Sequence, residues 1–192
     1  MSVIACDFDE TLFPTLAQVI EIYNKRYDDT LSLDAITTYN LYESLPSQVA
    51  DRLLELFTDK EVYDNLQPYK GSVKALQTLA NNGYEIYIAT ATSSKNLEWK
   101  EQLLRRYFPF IPKENLIRIH NKKLLNVDIL IEDNLYTLTQ TSADRVCFDQ
   151  PWNRSDSKDF VYNINRAYCW GDIINIIDKI KKENEEWEKN NR

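Results

Sequence analysis

The chain has 192 residues, 43% of them hydrophobic and 28% charged, so it can bury one sizeable core and a small accessory unit. Its 23 Lys and Arg against 30 Asp and Glu give a formal net charge of −7 at pH 7. Such a negative field disfavours non-specific binding of nucleic acid, which depends on clusters of Lys and Arg, and favours a small-molecule partner.

The cysteines and the N-terminal residues favour a reducing compartment. Cys6 and Cys147 lie in apolar runs typical of buried, inert thiols, and the three cysteines lack metal-site spacing. The sequence shows neither a charged-then-apolar leader nor an apolar run of membrane-spanning length. We therefore expect a soluble, cytoplasmic protein with no membrane partner, and assembly as a homodimer stays open.

The first predicted element is a short buried strand, Val3–Cys6, that leads directly into two aspartates, Asp7 and Asp9. Like charges repel and buried carboxylates are costly, so this arrangement needs an explanation. Either the carboxylates lie in a solvated Asx-type turn, or they are gathered for a function. Glu10 follows them, and we expect it to face solvent where the next segment begins.

The segment from 14 to 68 has the pattern of amphipathic helices and shows no convincing strand. Pro14 and Pro46 suit the first turns of helices. We expect residues 14–68 to form a helical cap over the carboxyl end of the sheet, and residues 1–13 and 69–192 to form the core. The stretches with the helical period are PTLAQVIEIYNKRY, SLDAITTY and PSQVADRLLELF.

Strands and helices alternate along the rest of the chain. Helical patterns cover Ser72–Asn82 and Lys95–Phe108, and the charged C-terminal stretch predicts a last helix. This alternation predicts an α/β fold with a doubly wound, Rossmann-like parallel sheet. The apolar runs that predict the later strands are Glu85–Ala89, Leu116–Ile119, Val127–Ile131 and Arg145–Phe148.

In such a sheet, ligands bind beyond the carboxyl ends of the strands. The first strand ends in CDFDET, the second in ATATSS and the fourth in IEDN, and HNKK lies shortly before the fourth. Acids, hydroxyls and lysines thus converge on one edge, as suits a divalent cation bound together with a phosphate. Mg²⁺ prefers such hard oxygen ligands, and Asp7 and Asp133 could supply carboxylates.

The same residue types support hydrolysis of a phosphate ester. A carboxylate can attack phosphorus in line and form an aspartyl-phosphate, which water then cleaves. A second aspartate can protonate the leaving oxygen and later activate the water. Lysine and hydroxyl groups can hold the equatorial oxygens, where charge develops.

Four motifs resemble, in order, those of the haloacid dehalogenase superfamily. DFDETL is similar to its DxDx(T/V) motif, IYIAT to its second motif, Lys122 to its third-motif lysine and ILIEDN to its acidic fourth motif. Helices placed directly after the first motif resemble its first class of cap. The stretches EVYDNLQPYKGSVKALQTLANNGYEIYIATA, VDILIEDN and CFDQPWNR further resemble the cytosolic type C 5′(3′)-deoxyribonucleotidases, in their bacterial and phage-like branch.

This resemblance implies a Mg²⁺-dependent phosphatase of nucleoside monophosphates, with deoxyribonucleotides favoured. Asp7 would be the nucleophile and Asp9 the general acid and base. Asp7, the backbone carbonyl of Asp9 and Asp133 would bind Mg²⁺, and Glu132 would bind a metal-bound water. Glu10 stands where mammalian members have Gly, and Glu132–Asp133 replaces an Asp–Asp pair.

The resemblance also implies the phosphate and base contacts. Thr90 and Lys122 would hold the phosphate, with Lys123 as the alternative lysine. Ala91 would contribute its backbone N–H, because it stands where mammalian members have Ser. The aromatic candidates for stacking on a base are Phe13, Tyr39 and Tyr42.

Several residues near these motifs have a structural alternative. Asp133 could instead cap the helix that follows it. The loop Gln150–Arg154 could be a rigid turn or could border the site. A surface role is favoured for His120, the one histidine, since this chemistry already has its acid.

Three other functions stay open. A signalling receiver gathers acids and a lysine around Mg²⁺, but it would be shorter and would lack the helical insertion. A non-enzymatic module would be expected to have lost Asp7 or Asp9, and both are present. A phosphatase of sugar phosphates or another metabolite is the main alternative, favoured if polar side chains line the cap groove.

Overall fold

The structure is a computed structural model that describes residues 2–154 and 156–191. Six parallel strands form one sheet in the order β3-β2-β1-β4-β5-β6. Parallel strands joined by helices make the doubly wound α/β sheet that the sequence predicts. The strands are β1 (Val3–Asp7), β2 (Glu85–Thr90), β3 (Leu116–Arg118), β4 (Ile129–Glu132), β5 (Asp144–Phe148) and β6 (Ile164–Ala167).

Helices cover both faces of this sheet. They are α1 (Thr15–Tyr27), α2 (Leu41–Ser44), α3 (Ser47–Leu56), α4 (Lys60–Asp64), α5 (Ser72–Asn81), α6 (Ser94–Tyr107), α7 (Leu135–Gln140), α8 (Asp156–Val161) and α9 (Trp170–Asn190). Four of them, α1 to α4, follow β1 in the chain and precede α5.

The central strand β1 sets the position of the functional edge. It pairs with β2 on one side and β4 on the other, with Asp7 opposite Ala89 and Cys6 opposite Ile131. Its residues from Ile4 onward are buried, because helices cover both faces of a central parallel strand. The carboxyl ends of β1, β2 and β4 therefore meet at one edge.

Two hydrophobic clusters lie on the two faces of the sheet. The larger one is continuous from Ile4 and Ile88 of the sheet to Val19 of α1 and Leu53 of α3. The smaller one packs Leu138 of α7 against the opposite face, together with other buried side chains. The four helices after β1 therefore share their core with the sheet.

The helical nature of the segment after β1 is confirmed, but one predicted helix is wrong. SLDAITTY forms a single 3₁₀ turn at Leu33–Ala35, followed by extended chain. The backbone N–H groups of Thr37 and Thr38 both donate to Ser44 Oγ at 3.0 Å. These two hydrogen bonds to a side chain compete with those of a helix. The β-branched run Ile36–Thr38 also has low helix propensity.

Strand β6 was not predicted, because its sequence INRA shows little alternation of apolar and polar residues and it lies at the edge of the sheet.

In the described part of the chain, no helix combines the length and the hydropathy needed to cross a membrane.

Candidate active site

The ends of β1 and β4 bring together a cluster of three buried carboxylates. Asp7 is the last residue of β1, Glu132 is the last residue of β4, and Asp133 follows Glu132. One carboxylate oxygen from each lies within 4.8 Å of the others, and all three residues are buried. The convergence predicted from DFDETL and IEDN is therefore present.

Lys122 is the cation inside this cluster. Its Nζ lies 2.5 Å from Asp7 Oδ1 and 2.6 Å from Glu132 Oε2. Burial alone would lower the pKa of Lys122, but the charges of Asp7 and Glu132 outweigh it and raise that pKa above its usual range. Lys123, the alternative lysine, is exposed.

One lysine does not balance three carboxylates. Burial raises the pKa of Asp7 to about 8, and the nearby charge of Glu132 adds to this effect. Burial also raises the pKa of Asp133 well above its usual range, with Glu132 and Asp7 contributing. These hard oxygen donors fit a divalent cation such as Mg²⁺, whose charge would offset their repulsion.

The two acids at the end of β4 have different surroundings. Glu132 Oε1 accepts hydrogen bonds at 3.2 Å from the backbone N–H groups of Asp133 and Asn134, while Oε2 binds Lys122. Both oxygens of Glu132 are therefore engaged within the protein. Asn134, rather than Asp133, caps α7 by accepting from the N–H of Tyr136 at 2.9 Å, so Asp133 is not the helix cap that the sequence allowed.

Lys100 is a site residue that the sequence analysis missed. It lies on α6 with 1% of its surface exposed, its ammonium binds Asp9 Oδ2, and it donates to Thr90 Oγ1 at 2.9 Å. The sequence did contain a signal for it, because Lys100 is a charged residue on the apolar face of an amphipathic helix. Trp99, Leu103 and Leu104 lie on the same buried face.

Asp9 and the end of β2 face the same space. Asp9 Oδ1 accepts a hydrogen bond from Thr15 Oγ1 at 2.8 Å, and its side chain is 28% exposed, so it is open to a ligand. Thr90 is fully buried, and its hydroxyl reaches the site through Lys100. Ala91 is exposed and lines the adjoining cavity.

Glu10 does not face solvent, contrary to expectation. It is 7% exposed, with a left-handed φ of 57°, and its Oε1 accepts from the N–H of Leu16 in the first turn of α1. Pro14 at the N-cap offers no side-chain acceptor, so the Glu10 carboxylate takes that place. Burial raises the pKa of Glu10 to about 8.

The loop Gln150–Arg154 borders the site. Trp152 Nε1 donates to Asp133 Oδ2 at 2.8 Å, and Asn153 Nδ2 donates to the backbone carbonyl of Asp133 at 2.8 Å. Gln150 Nε2 donates to the carbonyl of Glu10 at 2.6 Å. The loop is therefore both a turn, with a 3₁₀ segment at Pro151–Asn153, and a border of the candidate site.

A cavity of about 440 Å³ opens from the carboxylates toward the helices after β1. Of the three aromatic candidates for stacking on a base, Tyr39 is the one found among the described residues that line this cavity. Phe13 is fully buried and stacks on Phe8 at 4.4 Å, and the Tyr42 hydroxyl donates to Asp51 at 2.7 Å. The side chains contributed by the inserted segment are Leu16, Ile36, Thr38, Tyr39, Leu41, Leu54, Phe57, Thr58 and Tyr63.

The fold and the order of the strand-end motifs define a haloacid dehalogenase-like protein. A haloacid dehalogenase-like protein from Agrobacterium tumefaciens superposes with a TM-score of 0.67 at 13% identity, over 94% of this chain and 99% of that one. A haloacid dehalogenase family hydrolase from Deinococcus radiodurans, solved with phosphate and sodium, gives a TM-score of 0.59 at 14% identity, over 86% and 90%. These likenesses show the fold.

The chain belongs to the family described as 5′ nucleotidase, deoxy (pyrimidine), cytosolic type C, which it matches over residues 1–183. It is similar to a 5′(3′)-deoxyribonucleotidase from Clostridium acetobutylicum, with 29% identity over 91% of this chain and 94% of that protein. A 5′(3′)-deoxyribonucleotidase from Bacillus subtilis is 29% identical over 81% and 90%. The expected deoxyribonucleotidase-like phosphomonoesterase family is thereby confirmed.

Proposed function

We propose that this chain is a Mg²⁺-dependent phosphatase that removes phosphate from nucleoside monophosphates, with deoxyribonucleotides favoured, through an aspartyl-phosphate on Asp7. The observation that carries the proposal is the buried cluster of Asp7, Glu132 and Asp133 carboxylates within 4.8 Å of one another, of which Asp7 and Asp133 line the cavity. The family, and the two bacterial relatives named as 5′(3′)-deoxyribonucleotidases, support the substrate class.

The first half-reaction uses the two aspartates of DFDETL. A carboxylate oxygen of Asp7 attacks phosphorus in line, and the bond from phosphorus to the ester oxygen breaks. Asp9 delivers a proton to that departing oxygen. Thr15 and Lys100 each bind one oxygen of Asp9, and this holds its carboxyl facing the cavity.

The second half-reaction restores the enzyme. Asp9 takes a proton from a water molecule as that water attacks phosphorus, and the bond to the Asp7 oxygen breaks. Inorganic phosphate leaves, and Asp7 regains its carboxylate. Lys122, at 2.5 Å from Asp7 Oδ1, fixes the orientation of the nucleophile throughout.

The proposed phosphate site contains residues predicted from the sequence together with Lys100, which the structure adds. We assign the equatorial oxygens to the Lys100 ammonium and the backbone N–H of Ala91, because both residues line the cavity. The buried Thr90 hydroxyl supports this contact by accepting a hydrogen bond from Lys100. Lys122 keeps a place in the site, but its contacts with Asp7 and Glu132 favour neutralisation of the acids.

Mg²⁺ would be held by Asp7, Asp133 and the backbone carbonyl of Asp9, with Glu132 in the outer shell. When bound, the ion would neutralise charge on the phosphoryl oxygens. The separate roles of the two acids follow from their contacts: Lys122 and two backbone N–H groups occupy Glu132, whereas Trp152 binds one oxygen of Asp133.

The segment 14–68 acts as the cap in this proposal. Its side chains on the cavity wall are mostly apolar, as suits a nucleobase, and Tyr39, the stacking candidate that lines this wall, lies there with two other aromatic residues, Phe57 and Tyr63. The same lining disfavours a sugar phosphate, whose hydroxyls need polar partners. We also place the reaction in the cytoplasm, with free cysteines Cys6 and Cys147 buried, as a reducing compartment allows.

A phosphate-release screen tests the proposal. Phosphate release is compared for nucleoside 5′-monophosphates, nucleoside 3′-monophosphates and sugar phosphates, each with Mg²⁺ and with EDTA. Separately, light scattering shows whether the chain is a monomer or a homodimer. We expect Mg²⁺-dependent turnover that is highest on deoxyribonucleotides. Faster turnover of sugar phosphates, or equal turnover in EDTA, would contradict the proposed substrate or metal.

Asp7→Asn is the decisive variant, because an amide cannot act as the nucleophile. We expect phosphate release to fall below detection while the far-ultraviolet circular dichroism spectrum stays unchanged. Turnover at the wild-type rate, after mass spectrometry has excluded deamidation and contamination, would remove Asp7 from that role.

A further inference from the structure

The loop Asp149–Arg154, called here the Trp152 loop, joins the two acidic loops of the site. Gln150 binds the backbone carbonyl of Glu10, in the loop after β1. Trp152 and Asn153 bind the side chain and the carbonyl of Asp133, in the loop after β4. The Trp152 loop therefore fixes the separation of two segments that carry the proposed metal ligands.

Arg166 on β6 binds both Asp149 and Asn153 of this loop and so fixes it to the sheet. Its guanidinium donates to Asp149 Oδ1 at 3.0 Å, to Asn153 Oδ1 at 2.7 Å and to the Asn153 carbonyl at 2.9 Å, and it also pairs with Asp159. A planar guanidinium with several fixed partners is a rigid support. The 3₁₀ turn Pro151–Asn153 adds stiffness through the fixed φ of proline.

We propose that Trp152 is a positioning residue that holds Asp133 in the orientation needed to bind the divalent cation. The indole N–H donates to Oδ2 of Asp133 and cannot accept a bond, so it fixes one carboxylate oxygen and leaves the other to the cation. Partners of this kind orient metal ligands and tune their affinity. This inference rests on the proposed function.

The position of Trp152 separates this role from simple packing. The half-buried indole lines the cavity, beside the carboxylate that it binds. Trp170 offers the contrast, because it is 1% exposed and its N–H donates to the backbone carbonyl of Thr11 at 3.1 Å. Both indoles donate one hydrogen bond, but only that of Trp152 goes to an acid of the described cluster.

Calorimetric titration of the full chain with Mg²⁺ tests the proposal. Trp152→Phe keeps an aromatic ring and removes the N–H, and we expect Mg²⁺ to bind about 10-fold more weakly. The kcat measured at saturating Mg²⁺ should recover, so that the loss appears in the Mg²⁺ dependence. Trp170→Phe should lower the melting temperature and leave the affinity for Mg²⁺ within about 2-fold of wild type.

Tryptophan fluorescence gives a second readout that is independent of turnover. Mg²⁺ should change the emission of the wild type and of Trp187→Phe, whose indole is 68% exposed on α9, and the change should be lost in Trp152→Phe. Wild-type affinity in Trp152→Phe would overturn this inference alone. If the wild type itself binds no Mg²⁺, the inference and the proposed metal site both fall.

Discussion

Lys100 is a lysine on the buried side of α6, and its ammonium lies between a carboxylate and a hydroxyl. Burial of an unpaired ammonium would be costly, so the contacts with Asp9 and Thr90 compensate for that cost. The ring of Phe8, 4.8 Å from Nζ, adds a further favourable contact. A cation held in this way is already oriented before an anionic substrate arrives.

Lys100→Met should therefore damage the reaction more than the fold. We expect kcat on the best substrate of the screen to fall by about 10²–10³-fold, as for other groups that stabilise developing charge. Lys95→Met is the matched control: Lys95 is exposed on the same helix and lies over the ring of Trp99. A kcat for Lys100→Met within about 2-fold of that control would contradict the assignment.

The contrast between Lys100 and Lys122 shows how far single residues could be predicted. Lys122 was found because it precedes IEDN at a recognisable spacing, and it is indeed in the acidic cluster. Lys100 had no motif around it, and its role depends on how the fold brings α6 beside Asp9 and Thr90. Glu10 was wrongly predicted to face solvent: its partner, the N–H of Leu16, lies only six residues further on, but the bond depends on the left-handed backbone at Glu10, which the sequence pattern does not indicate.

At the scale of elements, apolar runs predicted the strands whose ends form the site. β4 is buried throughout, β1 from its second residue and β2 in its last three residues, and apolar runs of that kind are typical of parallel sheets. The edge strand β6 and the 3₁₀ turn at Leu33–Ala35 were missed, because edge pairing and side-chain bonds to the backbone decide them. Local sequence carries little of that information.

Gly71 supports a prediction about the element that follows the inserted segment. It is the N-cap of α5 with φ of 90°, a left-handed conformation that an L side chain rarely adopts, and an added Cβ would lie 3.5 Å from Trp170 Cβ. Gly71→Ala should therefore lower the free energy of unfolding by about 1 kcal/mol.

Chemical denaturation checks this value, with Gly171→Ala as the control. Gly171 lies within α9 and its added Cβ would meet only Cys169 Sγ at 3.5 Å among described atoms within 4 Å, so alanine there should be neutral or should stabilise by up to about 1 kcal/mol. Equal stability of the two variants would show that the left-handed turn at Gly71 tolerates a side chain.

At the scale of the whole molecule, the acidic site works against the stability of the fold. The chain carries a net charge of −7, and three of its carboxylates are buried together with one lysine between two of them. Their repulsion and desolvation cost stability that the hydrophobic clusters on both faces of the sheet must supply. A bound divalent cation would recover part of that cost, so we expect metal binding and folding to be coupled.

Asp133→Asn should expose this trade between stability and function. The amide oxygen can still accept from Trp152 Nε1, while one negative charge is removed from the cluster. In EDTA we expect the variant to be more stable than wild type by about 1–3 kcal/mol, with a melting temperature higher by about 2–4 °C per kcal/mol. Mg²⁺ should then raise the melting temperature of the wild type and leave that of Asp133→Asn nearly unchanged.

Differential scanning calorimetry in EDTA and in Mg²⁺ measures both effects, with Asp178→Asn, at an exposed position of α9, as the charge-matched control. The control should follow the wild type in both buffers, because its carboxylate is solvated. If Asp133→Asn melts below wild type in EDTA, then the buried acids are not in net repulsion. Lys122 and the backbone N–H groups would then compensate the cluster without a cation, and the strongest physical reason for a metal at this edge of the sheet would be removed.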